Sequence, residues 1–127
     1  MPKQHLNPSS MHTPTGYSHV VKAGDTIYVA GQVAVAPDGS VVGEGNAAAQ
    51  AEQIYQNLQH ALASVGAKLS DIVKTTTYIL NPDDVDAVRE SRLRYLNENP
   101  PTSTLLVISR LARPEFLMEV EAIAYVG

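Results

Sequence analysis

The chain has no cysteine. That absence excludes a disulfide framework, a thiolate nucleophile and any cysteine-ligated metal. Basic runs are also missing: 9 Lys and Arg face 13 Asp and Glu, for a formal net charge of −4. Binding nucleic acid by phosphate neutralisation needs clustered cations, so no nucleic-acid partner is expected. No apolar stretch approaches the length of a membrane-spanning helix, and the N-terminus has no basic segment leading into an apolar run. No membrane partner is expected, and a cytoplasmic location is. The four histidines, His5, His12, His19 and His60, form no pair at ligand spacing, so no metal is expected either. Gly39, Gly43 and Gly45 are interrupted by valine and glutamate, and read as turn residues rather than a phosphate loop.

What is present fits one globular domain. At 127 residues the chain is long enough for one core and too short for two. Residues 1–15 contain Pro2, Pro8 and Pro14 and are expected to form a flexible arm, leaving 16–127 as the domain. Strands are predicted over 17–22 and 26–34, with Gly31 marking a bulge or a close backbone approach. After the turn at Pro37-Asp38-Gly39-Ser40, Val41 and Val42 begin a short return strand. Helical spacing runs over 46–67, with Ala47, Ala51, Ile54, Leu58, Leu62 and Val65 on one stripe and Gln50, Gln53, Gln56 and His60 off it. Gly66 is placed to stop that helix. A strand over 72–79 follows, then a helix opening at Asn81-Pro82-Asp83-Asp84 and running to about residue 97. Pro100-Pro101 forces an extended entry into a strand over 104–109.

The last strand, 118–126, organises the rest. Alternation puts Met118, Val120, Ala122, Ala124 and Val126 on one face and Glu119, Glu121, Ile123 and Tyr125 on the other. The second face passes from two carboxylates directly into two apolar residues. That suits a face half covered by a partner, with a carboxylate at the margin; the plainer alternative is that both glutamates are solvated or paired with an arginine. The predicted order is β-β-β-α-β-α-β-β. Two helices can cover only one face of such a sheet, yet the strands over 26–34 and 104–109 are apolar on both. Self-association is the economical way to bury the second face. Asp83, Asp84 and Asp86 read as a solvated helix start, and Arg89 and Arg92 as arginines flanking an apolar stripe.

Gly16-Tyr17, Ala30-Gly31-Gln32, Asp71-Ile72-Val73-Lys74-Thr75-Thr76, Ser109-Arg110-Leu111 and Glu119-Val120-Glu121-Ala122-Ile123-Ala124 stand in an order and spacing that covers nearly the whole chain from Gly16 onward. In this it resembles the Rid (YjgF) family of small enamine/imine deaminases, formerly labelled L-PSP endoribonucleases. The resemblance implies an α+β fold, a chorismate-mutase-like mixed β-sheet with two helices on one face. It also implies a homotrimer with a small-molecule ligand in each inter-subunit cleft, and no metal or organic cofactor. By the same match, Glu121 is the acid/base, Tyr17 lines the cleft, and Gly31 lets backbone approach the ligand. Glu121 is expected to face the cleft, with Glu119 nearer its rim.

One departure matters. The family's carboxylate-binding arginine falls at Ser103, and two residues on, where active members often carry cysteine, this chain has Leu105. Serine cannot make the bidentate contact that a guanidinium makes with a carboxylate. Arg89 stands where the family usually has asparagine and is the candidate replacement cation. The first functional reading is therefore a hydrolase acting on an imine, enamine or similarly activated metabolite, with a substrate different from imines derived from 2-aminoacrylate. The alternative is a non-catalytic trimer that holds a small ligand in the same clefts. A ribonuclease reading ranks third, because the chain is acidic and lacks paired histidines.

Overall fold

The structure, a computed structural model, describes residues 2–127. Its strands are β1 (Lys3–Leu6), β2 (Val20–Ala23), β3 (Thr26–Gln32), β4 (Ile72–Ile79), β5 (Thr102–Val107) and β6 (Met118–Tyr125). They form one sheet in the order β1-β2-β3-β6-β4-β5. The last strand of the chain thus lies inside the sheet, antiparallel to β3 on one side and to β4 on the other. Only β4 and β5 run parallel. That pair needs a crossover, which helix α2 (Val85–Tyr95) provides. The longer helix α1 (Ala47–Ala63) connects β3 towards β4 and packs against β3, β6 and α2.

Alternation along β6 is as expected. Met118, Val120, Ala122 and Ala124 are buried under the helices, together with Ile27 and Val29 of β3 and Ile54, Leu58 and Leu62 of α1. Glu119, Glu121, Ile123 and Tyr125 occupy the other face, which no helix covers. Between Val29↔Ala122 and Gln32↔Val120 the register slips by one residue, so the bulge expected at Gly31 is present. Gly66 ends α1 with a positive φ of 73°, while Ala67 N donates to Leu62 O at 2.9 Å and Gly66 N to Ala63 O at 3.1 Å. Those two bonds satisfy carbonyls that the helix end leaves free.

The order of element types agrees with the sequence reading, but two of its members change. Residues 41–42 make no strand: Val41 forms only an isolated bridge with Val35. The N-terminal segment instead supplies an edge strand, with Lys3 opposite Ala23 and Leu6 opposite Val20. Pro2 and Pro8 bracket a four-residue window that can still pair, and its polar sequence suits an edge. A further correction concerns Gln50, expected off the buried stripe of α1 and found completely buried. Its Nε2 donates to the carbonyls of Gly43 (3.1 Å) and Glu115 (2.9 Å), and its Oε1 accepts from Leu117 N at 2.9 Å. One amide therefore fastens the loop before α1 to the loop that launches β6. Hydrophobic periodicity cannot find such a residue.

Gln50→Leu keeps the volume and leaves those backbone groups without their partners. We expect a loss of about 2–3 kcal/mol in unfolding free energy, read from urea midpoints. Gln56→Leu on the exposed side of the same helix is expected to change stability by less than about 0.5 kcal/mol.

Candidate active site

Ladder pairing decides which side chains share a face. On the uncovered face Tyr28, Ile123 and Lys74 form one row, Glu121 and Thr76 the next, and Glu119 and Tyr78 a third. These rows surround a cavity of about 340 Å³, lined by Ser18, Tyr28, Lys74, Thr76, Glu121 and Ile123 among others. Glu121 is exposed on its wall, and its Oε1 accepts a hydrogen bond from the Tyr78 hydroxyl at 2.9 Å. That bond, then slight burial and the charges of both glutamates, pushes the Tyr78 hydroxyl pKa up. One carboxylate oxygen of Glu121 is thereby held while the other has no intramolecular partner among the described residues.

Glu119 has a different setting. It is the half-buried member of the pair, while Glu121 is exposed in the single chain. Its carboxylate fills the space above Gly31, so a Cβ at that position would collide with it. The bulge and the missing side chain thus make room for a carboxylate inside the same chain. Burial first, and the charge of Glu121 second, push the Glu119 carboxyl pKa up. Tyr17 feels the charge of Glu119 in turn: burial, then that carboxylate, raise its hydroxyl pKa. Its ring stands edge-on to His19 at 5.8 Å. His19 is itself fixed, with Nε2 donating to the His12 carbonyl at 2.7 Å and Nδ1 accepting from Gln32 Nε2 at 3.2 Å. Tyr17 lines a second hollow of about 430 Å³, with His12, Asp38 and Arg113. There Asp38 is occupied by Ser40, so the first cavity is the one with an available carboxylate.

The remaining expected residues fall elsewhere. Thr75, which is buried under the helices, pairs with both Ala122 and Ser103, and Thr77 with both Val120 and Leu105. Ser103 and Leu105 therefore lie on the helix side of the edge strand β5, opposite to Glu121. Arg89 points outward from α2 and meets Asp86 at 3.4 Å. The arginine that reaches the expected position is Arg92, whose Nη1 donates to Ser103 Oγ at 3.1 Å. Tyr78 and Arg92 are thus the two contributors that sequence reasoning misses. Alternation places Tyr78 with Lys74 and Thr76, but its opposition to the glutamates depends on a strand pairing that no local signal reveals. Among the described residues no group of three or more His, Asp and Glu side chains is placed to hold a metal, and no helix is long and apolar enough to cross a membrane.

Comparison with known proteins agrees with this architecture. The model of the endoribonuclease L-PSP family matches residues 8–126. The chain belongs to that family. It is 34% identical to a RutC family protein of Pyrococcus abyssi, over 86% of this chain and 85% of the other. It is 29% identical to the human 2-iminobutanoate/2-iminopropanoate deaminase (87% and 80% covered) and 27% identical to the 3-aminoacrylate deaminase RutC of Acinetobacter baylyi (99% and 100% covered). Among solved structures, RidA from an Antarctic Psychrobacter superposes with a TM-score of 0.90 at 26% identity, covering 97% of this chain and 99% of the other. Members of this Rid/YjgF family thus include enamine and imine deaminases, and the six-stranded sheet with two helices is the fold they share.

The Glu119 environment carries a pH signature. Because its folded pKa is raised, its contribution to stability is fully present below the unfolded value, near about pH 4, and is lost as pH rises through the folded value. Glu119→Gln removes that loss. We expect the variant's urea midpoint to match wild type near about pH 4 and to exceed it increasingly towards neutrality. A gap that closes with rising pH would show that Glu119 is stabilised as a carboxylate.

Proposed function

We propose that this protein hydrolyses the C=N bond of a small imine, or of the imine tautomer of an enamine, releasing ammonia in clefts shared between the subunits of a homotrimer. The observation that carries the reading is Glu121, held at one oxygen by Tyr78 on the wall of a cavity of metabolite size. Water adds to the electrophilic carbon of the imine and gives a carbinolamine. Glu121 takes a proton from the attacking water and delivers it to the imine nitrogen, then carries the carbinolamine hydroxyl proton to the same nitrogen, which leaves as ammonia while the carbon becomes a carbonyl. The balance is one imine and one water to one carbonyl compound and one ammonia, with no cofactor required. Deaminases among the relatives, acting by name on 2-iminobutanoate, 2-iminopropanoate and 3-aminoacrylate, support this class.

Sheet parity supports the assembly. Glu121 and Ser103 of one chain face opposite sides, so a site that uses both takes them from different copies. Tyr28, Leu106 and Tyr125 on the uncovered face are 49%, 44% and 52% exposed, an apolar surface that association would bury. In the cleft we place Tyr17 and Gly31 as the support of the Glu119 carboxylate, with Leu105 as an apolar wall. Arg89 is assigned no contact there, since it already pairs with Asp86. A second reading, a trimer that binds a ligand without turning it over, draws on the open exposure of Glu121 in the single chain. The ribonuclease reading has only Lys74 as a cation at the cavity.

Light scattering coupled to gel filtration is expected to give three times the chain mass, and a monodisperse monomer at micromolar concentration would remove the cleft. For the chemistry, imines are generated in place by an amino-acid oxidase and their loss is followed. Wild type should accelerate the loss, and Glu121→Gln should lower the rate by about 10²–10⁴-fold without changing the assembly. Ligand binding with no acceleration of any imine would favour the binding reading over the hydrolase.

A further inference from the structure

We propose that His12 and His19 form a proton-operated latch, which holds the N-terminal arm over residues 7–15 on the domain at neutral pH and releases it when the pair takes up charge. The inference does not depend on the chemistry of the cleft. Beyond β1 the arm pairs with no strand, so its attachment rests on side chains. Asn7 Oδ1 accepts from His19 N at 2.8 Å, Met11 is buried in the core, and the His12 carbonyl accepts from His19 Nε2 at 2.7 Å. Two of these attachments end on one residue. His19 is 1% exposed, and its other ring nitrogen meets Gln32, which is also 1% exposed.

The surrounding groups fix the charge of His19. A carbonyl can only accept, so Nε2, which faces the His12 carbonyl, carries a hydrogen. Gln32 Nε2 donates to the Ala30 carbonyl at 3.1 Å, so the amide NH2, and not its oxygen, meets His19 Nδ1 at 3.2 Å. Nδ1 is therefore the bare nitrogen, and the ring is neutral. A second proton would set N–H against N–H, and turning the amide over would set its oxygen against the Ala30 carbonyl. His12 is disposed in the same way. Its Nδ1 is buried with no hydrogen-bond partner among the described residues, and its ring stands edge-on to His19 at 4.7 Å between centroids. Burial first, and the charge of His19 second, push the His12 pKa down. Nothing nearby offsets this. Tyr17 meets His19 edge-on as a neutral ring, and the Glu119 charge reaches no further than Tyr17. In the hollow beside His12, Asp38 is bound to Ser40 and Arg113 to Glu115, while His5 bonds Ser18 at 3.4 Å. In a released arm His12 stands in water, with an ordinary value of about 6.5. Because its held value is lower, the hold is complete above about pH 6.5 and is lost as pH falls through the held value. His12, Thr13, Thr15 and Tyr17 wall the larger hollow, so release opens it.

The test is hydrogen exchange on the full-length assembled protein, read as protection factors so that the intrinsic pH dependence is removed. The Met11 amide donates to the Pro8 carbonyl and the His19 amide to Asn7, and both report the held arm. Their protection should fall at least about tenfold between about pH 7.5 and about pH 5, where histidine is the unperturbed side chain that changes charge. The amides of α1 should keep theirs. His12→Phe preserves an edge-on ring and the backbone carbonyl but cannot charge, and it should reduce the fall. Adding His19→Gln, which keeps a neutral donor and acceptor, should abolish it. If the double variant does not fold, His12→Phe decides alone. His60→Gln, on the exposed side of α1, should leave the fall unchanged. Arm protection that stays constant over this range, a fall shared equally by α1, or one undiminished by His12→Phe would overturn the latch.

Discussion

The register of β6 against β3 and β4 decides which side of the sheet every chemically useful group occupies. Alternation has a period of two, so a slip of one residue would turn Glu119 and Glu121 under the helices and expose Met118, Val120, Ala122 and Ala124. Burying two unpaired carboxylates in an apolar layer costs far more than a domain of this size can tolerate. The glutamates therefore act as register markers as well as chemistry. The bulge at Gly31 is the complementary device on β3. It adds one residue between Val29 and Gln32, keeps both facing inward, and leaves a glycine where the Glu119 carboxylate comes down.

Two carboxylates on successive same-face positions of a strand lie about 6.5 Å apart, close enough to disfavour joint ionisation. The surroundings divide them. Glu119 sits against Gly31 and near Tyr17, where burial and the neighbouring charge favour its protonated form. Glu121 stands in the open with a phenol donating to one oxygen. A proton held on the inner carboxyl relieves the repulsion between the two. The raised Glu119 pKa traces to burial and to the charge of Glu121, in the space that the bulge and Gly31 leave open.

Much of this fold is legible in the sequence, and the reasons differ by element. The strand over 118–126 announces its faces because its alternation is strict. The stop of α1 is legible at Gly66 because only glycine takes a positive φ there without strain. Gln50 escapes periodicity because its burial depends on three backbone groups from loops 7 and more than 60 residues away. Strand β1 escapes it because an edge strand needs no hydrophobic signal of its own. On α2, Arg89 pairs with Asp86 while Arg92 reaches Ser103. The two differ by three residues, and only the buried neighbours Val88 and Leu96 fix which of them turns inward. Glu121 and Ser103 both stand out in the sequence, but spacing along the chain does not reveal that they face opposite sides of one sheet.

Arg92 is rooted on a helix, and its guanidinium reaches Ser103 on the edge strand. The small side chain at Ser103 leaves space over the helix side of β5, and a larger residue there would compete with the Arg92 guanidinium for it. Serine on the strand and arginine on the helix are thus complementary in volume as well as in hydrogen bonding. The position of the guanidinium then follows the position of α2, and α2 is tied to α1 by contacts remote from the cavity. Arg94 and the Tyr95 hydroxyl both donate to Glu52, whose carboxyl pKa is lowered chiefly by the tyrosine, and the Tyr95 ring stacks on Tyr55 at 5.0 Å between centroids. Those two tyrosines lie beside the helical turn that carries Arg92. A strand arginine would be held by the sheet alone. An arginine on α2 is held by the packing of two helices, so Glu52 and Tyr95 help to set where the Arg92 guanidinium stands.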